Sequence, residues 1–205
     1  DIAAQWAGDA GRSELLGISL NHQIQQSSTM WIPVALLRDP RISAALSHCK
    51  FRAHDAKAML RSLLALGIDM QGLVFDTAIA AYLIDPAQSR YSLVDLVERY
   101  SSARFPQDDP ATTGQLDLGG TAIDESQRAG RDCLAIAYVA QTLSAALQTH
   151  GMLTLYQEME NPLVRVLARM EHLGIAVDVV QLKSIAARLT AEVGELSLAL
   201  QAVVG

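Results

Sequence analysis

Strand-like and helix-like segments alternate over residues 50–100, and this pattern limits the folds open to the chain. The segment "KFRAH" precedes "KAMLRSLLALG", and "GLVFDT" precedes "AIAAYLI". The first member of each pair is a short run typical of strands, whereas the second has helical periodicity, and Gly67 is suited to end the first helix. This alternation predicts an α/β fold, in which helices flank a mixed sheet.

A hairpin is predicted ahead of this region. The runs "SELLGISL" (residues 13–20) and "STMWIPV" (residues 28–34) are rich in β-forming residues and are joined by a polar stretch, which indicates two strands and a medium loop. The opening "DIAAQW" is a candidate for a further strand. Two short helices are also expected, one in "DPRISAALSH" that Pro40 opens and one in "SLVDLVERY" behind Ser92.

Three long helices are predicted in the second half of the chain, at about residues 124–149, 152–173 and 179–204. In the last two, apolar residues recur every three or four positions, which gives each helix an apolar face. We expect these faces to pack against protein beyond the given residues. Ahead of the helices, residues 101–121 are rich in Pro, Gly, Asp and Thr and lack periodicity, so a mobile loop is expected there.

Composition excludes several classes of protein. Half of the 205 residues are hydrophobic, enough to bury a core, yet no run approaches the roughly 18 apolar residues of a membrane span. We therefore expect a cytoplasmic protein with no membrane partner. The formal charge of −6 disfavours tight binding of nucleic acid, so weak or no DNA binding by this chain alone is expected, although a local basic stripe is compatible with that charge.

A few isolated side chains have simple structural interpretations. Cys49 and Cys133 are far apart and lack a C-x-x-C partner, which predicts two reduced, buried thiols. Asp76 lies at the start of a predicted helix and is interpreted as its cap. Arg165 and Arg169 have the i, i+4 spacing of charges on a solvated helix face. The five histidines show no H-x-x-x-H pairing, so none is predicted to bind metal.

The order of the segments resembles one known family. Residues 54–100, then "AGRDCLAIAYVAQTL", then "MENPLVRVLARMEHLGIAVD" are similar to bacterial family A DNA polymerase I. The resemblance implies a 3′–5′ exonuclease-like domain with a ribonuclease-H-like fold over residues 1–152, followed by the first helices of the polymerase domain over residues 153–205. The chain is then expected to be a fragment of a DNA-directed DNA polymerase that uses magnesium and binds DNA through its polymerase domain.

The resemblance also implies where a nuclease site would lie. Active members hold two divalent metals with carboxylates from three motifs: D-x-E on the first strand, N-x-x-x-(F/Y)-D or similar, and Y-x-x-x-D on a late helix. No D-x-E occurs in this sequence. In the second motif the Asn position is Asp55 and the metal position is Met59. In the third motif the Tyr position is Asp132 and the metal position is Ile136.

These replacements predict an inactive site. Two-metal phosphoryl transfer requires hard oxygen ligands, which thioether and alkyl groups cannot supply. Met59 shares a helical face with Leu63, and Ile136 shares one with Val139, so both are expected to be core residues. We therefore expect a vestigial proofreading domain with a scaffold role, with no catalytic residue, metal or other cofactor of its own. A monomer is expected.

Two alternatives remain open at this point. The first is an active metal-dependent 3′–5′ exonuclease with a relocated site that uses Asp55, Asp132 and an N-terminal acid. The more ordinary interpretation of Asp55 and Asp132 is a strand-end turn or a helix-start carboxylate. The second alternative is a protein-interaction module, in which the 101–121 loop docks a replication or repair protein.

Overall fold

The computed structural model describes residues 1–22, 28–101 and 124–204. Of the loop predicted at 101–121, all but the first residue lies outside these ranges, as do residues 23–27 of the hairpin connection. The described residues form the predicted strands and helices, and the α/β class is confirmed. None of the described helices is long and apolar enough to cross a membrane.

The first three strands form an antiparallel sheet in chain order, with the bounds β1 (Ile2–Trp6), β2 (Leu15–Leu20) and β3 (Met30–Pro33). At the centre of the sheet Ile18 pairs with Ile32 and is fully buried. Gly17 is required beside this pair, because a Cβ there would lie 2.5 Å from the carbonyl oxygen of Ile32. The predicted hairpin is confirmed, and "DIAAQW" supplies the third strand.

A parallel pair of strands and a series of helices complete the chain. The two strands are β4 (Lys50–Ala53) and β5 (Gly72–Asp76). They pair in parallel, and a helix forms the crossover connection that a parallel pair requires. A short π-helix, Tyr156–Glu160, lies between the seventh and eighth α-helices. The α-helices are α1 (Val34–Leu37), α2 (Pro40–His48), α3 (Ala56–Ala65), α4 (Thr77–Ile84), α5 (Leu93–Tyr100), α6 (Glu125–Thr149), α7 (Leu153–Leu155), α8 (Asn161–Leu173) and α9 (Val179–Val204).

The chain divides into two compact units, which we call unit 1 (Asp1–His172) and unit 2 (Leu173–Gly205). Unit 2 contains α9. Within unit 1, one core cluster packs the antiparallel sheet and β4 against α3, and includes Phe51 and Leu63. A second cluster packs β5, α4, α5 and α6 together and includes Leu143. Burial of these apolar side chains is the main force that holds the strands against the helices.

Unit 1 includes most of α8, because this helix buries apolar side chains in the first core cluster. Val164 and Ala168 both lie there. Arg165 donates from Nη2 to Asp69 at 2.6 Å and from Nε at 3.2 Å, so it is a part-buried ion-pair partner, not the solvated-face charge predicted. The compact unit 1 ends at His172, and the domain boundary predicted between residues 152 and 153 lies inside this unit. The assignment of residues 153–205 to a polymerase domain stays a prediction.

Candidate functional site

The four motif positions singled out in the sequence lie around one pocket of unit 1. Its volume is about 320 Å³, and it is bordered by β1, by the residues after β4, by α3 and by α6. Asp55 and Met59 line one side, and Asp132 and Ile136 line the other. Residues that are far apart in sequence therefore converge as the motif comparison predicts. The chemistry of the pocket depends on what their side chains now do.

The two positions that the resemblance assigns to metal ligands hold buried apolar side chains. Met59 is 2% exposed and belongs to the same core cluster as Leu63. Ile136 is 1% exposed and packs with Ala3 and Cys133. Both side chains extend the core, as their helical periodicity predicts.

The two remaining acids occupy different settings. Asp55 is exposed and precedes α3 with a φ of 47°, a left-handed conformation that Asp tolerates better than most residues. Its side chain does not cap the helix. Asp132 is not a helix-start carboxylate but lies inside α6, where its Oδ2 accepts a hydrogen bond of 3.2 Å from Gln5 Nε2. Only Asp55 fits the ordinary interpretation given above.

Two residues of β1 complete the pocket and escaped the sequence analysis. Ala3 contacts Cys133 and Ile136, and Gln5 bonds Asp132, so both face α6. They are two residues apart on the first strand, which is the spacing of D-x-E. The alternation of side chains along a strand predicts that Ala3 and Gln5 face the same side, but β1 carries no carboxylate that would mark it as part of a metal site. We interpret them as the positions of the missing first motif.

None of the N-terminal acids lines this pocket. Asp1 forms a two-point ion pair with Arg52, at 2.7 and 2.9 Å. Asp9 and Glu14 are exposed in the turn between β1 and β2. A relocated metal site that uses Asp55, Asp132 and one of these acids therefore gains no support from the described residues.

The pocket does not fit a pair of divalent metals. Within residues 1–22, 28–101 and 124–204, no group of three His, Cys, Asp or Glu side chains is placed to hold a metal ion. Met59 and Ile136 offer no oxygen, and the amide nitrogen of Gln5 satisfies Asp132 by hydrogen bonding. Hard divalent cations require several oxygen ligands, and Asp55 and Asp132 are too few carboxylates to hold two of them.

Behind the pocket, the carboxylate of Asp76 caps two helices at once. It is 1% exposed and accepts hydrogen bonds from the backbone N–H groups of Ala78 and Ile79, at 2.9 and 3.3 Å, at the start of α4. It also accepts from Asp55 and Ala56, at 3.2 and 2.7 Å, at the start of α3. Burial raises the pKa of Asp76 to about 6, although the hydrogen bonds favour the ionised form. The predicted cap is confirmed for α4, and the cap on α3 is an addition.

The backbone of Asp76 is tied to the start of α8 by Tyr156. The N–H of Asp76 donates to Tyr156 Oη at 2.6 Å, and Tyr156 Oη donates to Asn161 Oδ1 at 3.1 Å. Asn161 Nδ2 then donates to the carbonyl oxygen of Leu73 at 3.0 Å. Burial raises the pKa of Tyr156, so its hydroxyl is neutral. This network fixes the end of β5, where Asp76 caps α3 and α4.

His54 lies beside the pocket in its neutral form. Its Nδ1 is 2.8 Å from Thr77 Oγ1, and burial lowers the pKa of His54 to about 4. Because the folded pKa lies below the ordinary value of 6.5, the unfolded chain binds more protons between those two values. The stability that the neutral ring contributes is therefore lost as the pH falls from about 6.5 to about 4.

We expect His54→Gln to gain stability relative to the wild type as the pH is lowered from 7 to 4.5. The relative free energy of unfolding should rise by about 2 kcal/mol, since one unit of pKa shift corresponds to about 1.4 kcal/mol. Urea denaturation of both proteins at a series of pH values measures this difference. Parallel pH curves would show that His54 does not titrate in this way.

Both cysteines are free thiols in the structure. Cys133 is buried, and burial raises its pKa to about 11, so it is unreactive near neutral pH. Cys49 is only part-buried, in contrast to the prediction, because it lies at the junction of α2 and β4.

Comparison with known proteins identifies one family. The family description "DNA polymerase I, ribonuclease H-like domain" matches residues 10–110. The DNA polymerase I of Mycobacterium tuberculosis is 33% identical over 173 residues, which cover 83% of this chain and 18% of that protein. The DNA polymerase I of Bacillus subtilis is 31% identical over 143 residues, covering 69% of this chain and 16% of that protein. The chain thus spans less than a fifth of these relatives.

A solved structure agrees with the fold. The POL domain of Pol1 from M. smegmatis, in complex with DNA primer-template and dNTP, matches with a TM-score of 0.73 and 24% identity. The match covers 95% of this chain and 32% of that one. At this identity the likeness supports the fold alone. The ribonuclease-H-like fold predicted from the sequence is confirmed by these comparisons.

Proposed function

The chain belongs to the DNA polymerase I family and contains its ribonuclease H-like domain, and from this premise we propose that the domain is a vestigial proofreading exonuclease that serves as a scaffold. The parent protein would be a DNA-directed DNA polymerase of replication and repair. It would bind DNA and magnesium through its polymerase domain. The present chain would be a monomer with weak or no DNA binding of its own.

The observation that carries the proposal is the replacement of the ligand set. Met59 and Ile136 are buried apolar residues, Ala3 has no polar group, and Gln5 donates an amide hydrogen bond to Asp132. A two-metal mechanism activates a water and stabilises the leaving oxygen through ions held by several carboxylates. Without those ions neither step is available, since catalysis depends on the site and not on the fold.

A scaffold role is supported by the way α8 is attached to α3 within unit 1. Glu171 near the end of the helix forms ion pairs of 2.8 Å with both Lys57 and Arg61 of α3. The opposite face of α8 is apolar and exposed, and includes Val166 and Met170. Large apolar patches are seldom left bare in solution. We infer that α3 holds α8 in place while its apolar face contacts the remainder of the longer parent.

Neither alternative function is favoured by an observation on the described residues. The relocated nuclease lacks an N-terminal acid at the pocket. The interaction module depends on the 101–121 loop, which lies almost entirely outside those residues.

We expect no release of mononucleotides from labelled single-stranded or mispaired 3′ ends in the presence of Mg²⁺ or Mn²⁺. The reason is that no described carboxylate set can hold the metals that would activate water. A gel assay of end-labelled oligonucleotides measures this, with Asp55→Ala as the matched control for contaminating nuclease. Metal-dependent release that disappears in Asp55→Ala would contradict the proposal, whereas equal traces in both proteins would indicate contamination.

A further inference from the structure

A second concavity lies on unit 1, on the other side of the turn between β1 and β2. Its volume is about 420 Å³, and it is formed by residues 11–15, by Val34 and Arg38 at the two ends of α1, by the second half of α3 and by the end of α8. It shares no lining residue with the pocket described above. A volume of this size is in the range of small-molecule sites. Three arginines line it: Arg12, Arg38 and Arg61.

Arg61 is held in a fixed orientation. Its Nη1 donates to Glu171 Oε2 at 2.8 Å, and its Nη2 donates to the carbonyl oxygen of Gly11. Lys57 pairs with the same carboxylate at 2.8 Å. Glu171 is therefore shared by two cations, and one positive charge in excess remains at this edge of the concavity.

Arg12 and Arg38 have no such partners. Both are exposed, and neither side chain forms an ion pair or a hydrogen bond with any residue in the described ranges 1–22, 28–101 and 124–204. A guanidinium group presents five N–H donors in a planar fork that matches the oxygens of a phosphate. Two guanidinium groups without side-chain partners, beside the fixed guanidinium group of Arg61, form an arrangement suited to a compact anion.

The charge around this concavity is opposite to that of the chain. Three arginines and two glutamates, Glu14 and Glu171, line the concavity, and Lys57 pairs with Glu171 beside it, whereas the whole chain carries −6. A concave region in which one sign of charge predominates attracts ions of the other sign. A hydroxyl donor is also present, since Ser62 Oγ accepts from Trp6 Nε1 at 2.9 Å and keeps its own proton available.

We propose that this concavity binds a phosphate group, with Arg12 and Arg38 as its principal ligands and Arg61 as a fixed cationic wall. The phosphate is either free or part of a nucleic-acid strand, because both present the same non-bridging oxygens. Glu14, at the same concavity, opposes binding by its charge. The proposal is independent of the nuclease site and of its loss.

The test compares anion binding by four forms of the 205-residue chain. Fluorescence anisotropy with a labelled oligothymidylate measures binding to a strand, and inorganic phosphate is added as a competitor and titrated alone by calorimetry. The double variant Arg12→Ala/Arg38→Ala should bind the strand about tenfold more weakly at low salt. The slope of the logarithm of the binding constant against the logarithm of the salt concentration should also become shallower by roughly 1.4, since two phosphate contacts are removed.

Two further variants supply matched controls. Arg90→Ala/Arg188→Ala removes the same charge from two exposed arginines that make no described contacts, and should change affinity by less than about threefold. Glu14→Gln should strengthen binding about two- to threefold, because it removes a charge of the wrong sign. All four proteins should have similar melting temperatures, since the side chains of Arg12 and Arg38 form no hydrogen bond or ion pair with described residues.

The outcomes separate the sources of the phosphate. In one supporting outcome, inorganic phosphate displaces the strand from the wild type, and Arg12→Ala/Arg38→Ala loses both the strand affinity and this competition. That result supports a site for the phosphate group itself. Strand binding that depends on these arginines without phosphate competition supports the same site in its nucleic-acid form. Equal losses in the two double variants, or no binding of either probe by the wild type, would overturn the proposal.

Discussion

Replacement of Asp76 with alanine should lower the free energy of unfolding by about 3 to 5 kcal/mol at pH 7.5. Loss of a helix cap costs about 1 kcal/mol, and here two helices lose the same cap. The variant also leaves backbone N–H groups of α3 and α4 without an acceptor in a buried place, which costs about 1 to 3 kcal/mol more. Urea or thermal denaturation followed by circular dichroism measures the loss.

Asp76→Asn is the matched control for this prediction. Its amide oxygen can still accept hydrogen bonds from one helix, but its NH₂ group faces the donors of the other. We expect an intermediate loss, about half of that in Asp76→Ala. A loss below about 1 kcal/mol in Asp76→Ala would mean that the carboxylate does not hold the two helix starts.

Restoring a carboxylate by Met59→Asp should destabilise the protein by roughly 2 to 5 kcal/mol. The thioether is 2% exposed in a packed cluster, so the change removes apolar contacts and desolvates a charge. Asp55 and Asp132 line the same pocket, so their negative charges would repel the new carboxylate. The loss should be larger at pH 8 than at pH 5, because burial and repulsion favour the protonated acid.

Met59→Leu separates packing from charge in this experiment. The two side chains have similar volumes, so the exchange should cost less than about 1.5 kcal/mol. An unchanged melting temperature in Met59→Asp would contradict the buried position of Met59. Equal losses in both variants would show that shape, and not charge, decides the stability of the site.

Much of this architecture could be predicted from the sequence, because the signals are local. The helical faces of Met59 and Ile136 predict burial, which the structure bears out. The hairpin follows from two β-rich runs on either side of a polar stretch. The cap on α4 follows from an Asp that stands immediately before a helix.

The features that were missed depend on contacts between distant segments. Gln5 bonds Asp132 across 127 positions, and no local pattern predicts that pair. Tyr156 looks like one more apolar residue of a long helix, yet its hydroxyl holds the backbone of Asp76. The second cap made by Asp76 arises because β5 ends beside the start of α3.

Calorimetric titration of the chain with Mn²⁺ tests the proposal that the pocket around Met59 and Ile136 binds no metal. We predict no saturable heat up to millimolar metal, because the pocket offers Ala3, Met59 and Ile136 where hard oxygen ligands are needed. The double variant Asp55→Asn/Asp132→Asn serves as the control and should likewise show no saturable heat of metal binding. Saturable binding of one or two equivalents by the wild type, lost in the double variant, would contradict the account and restore the relocated nuclease site.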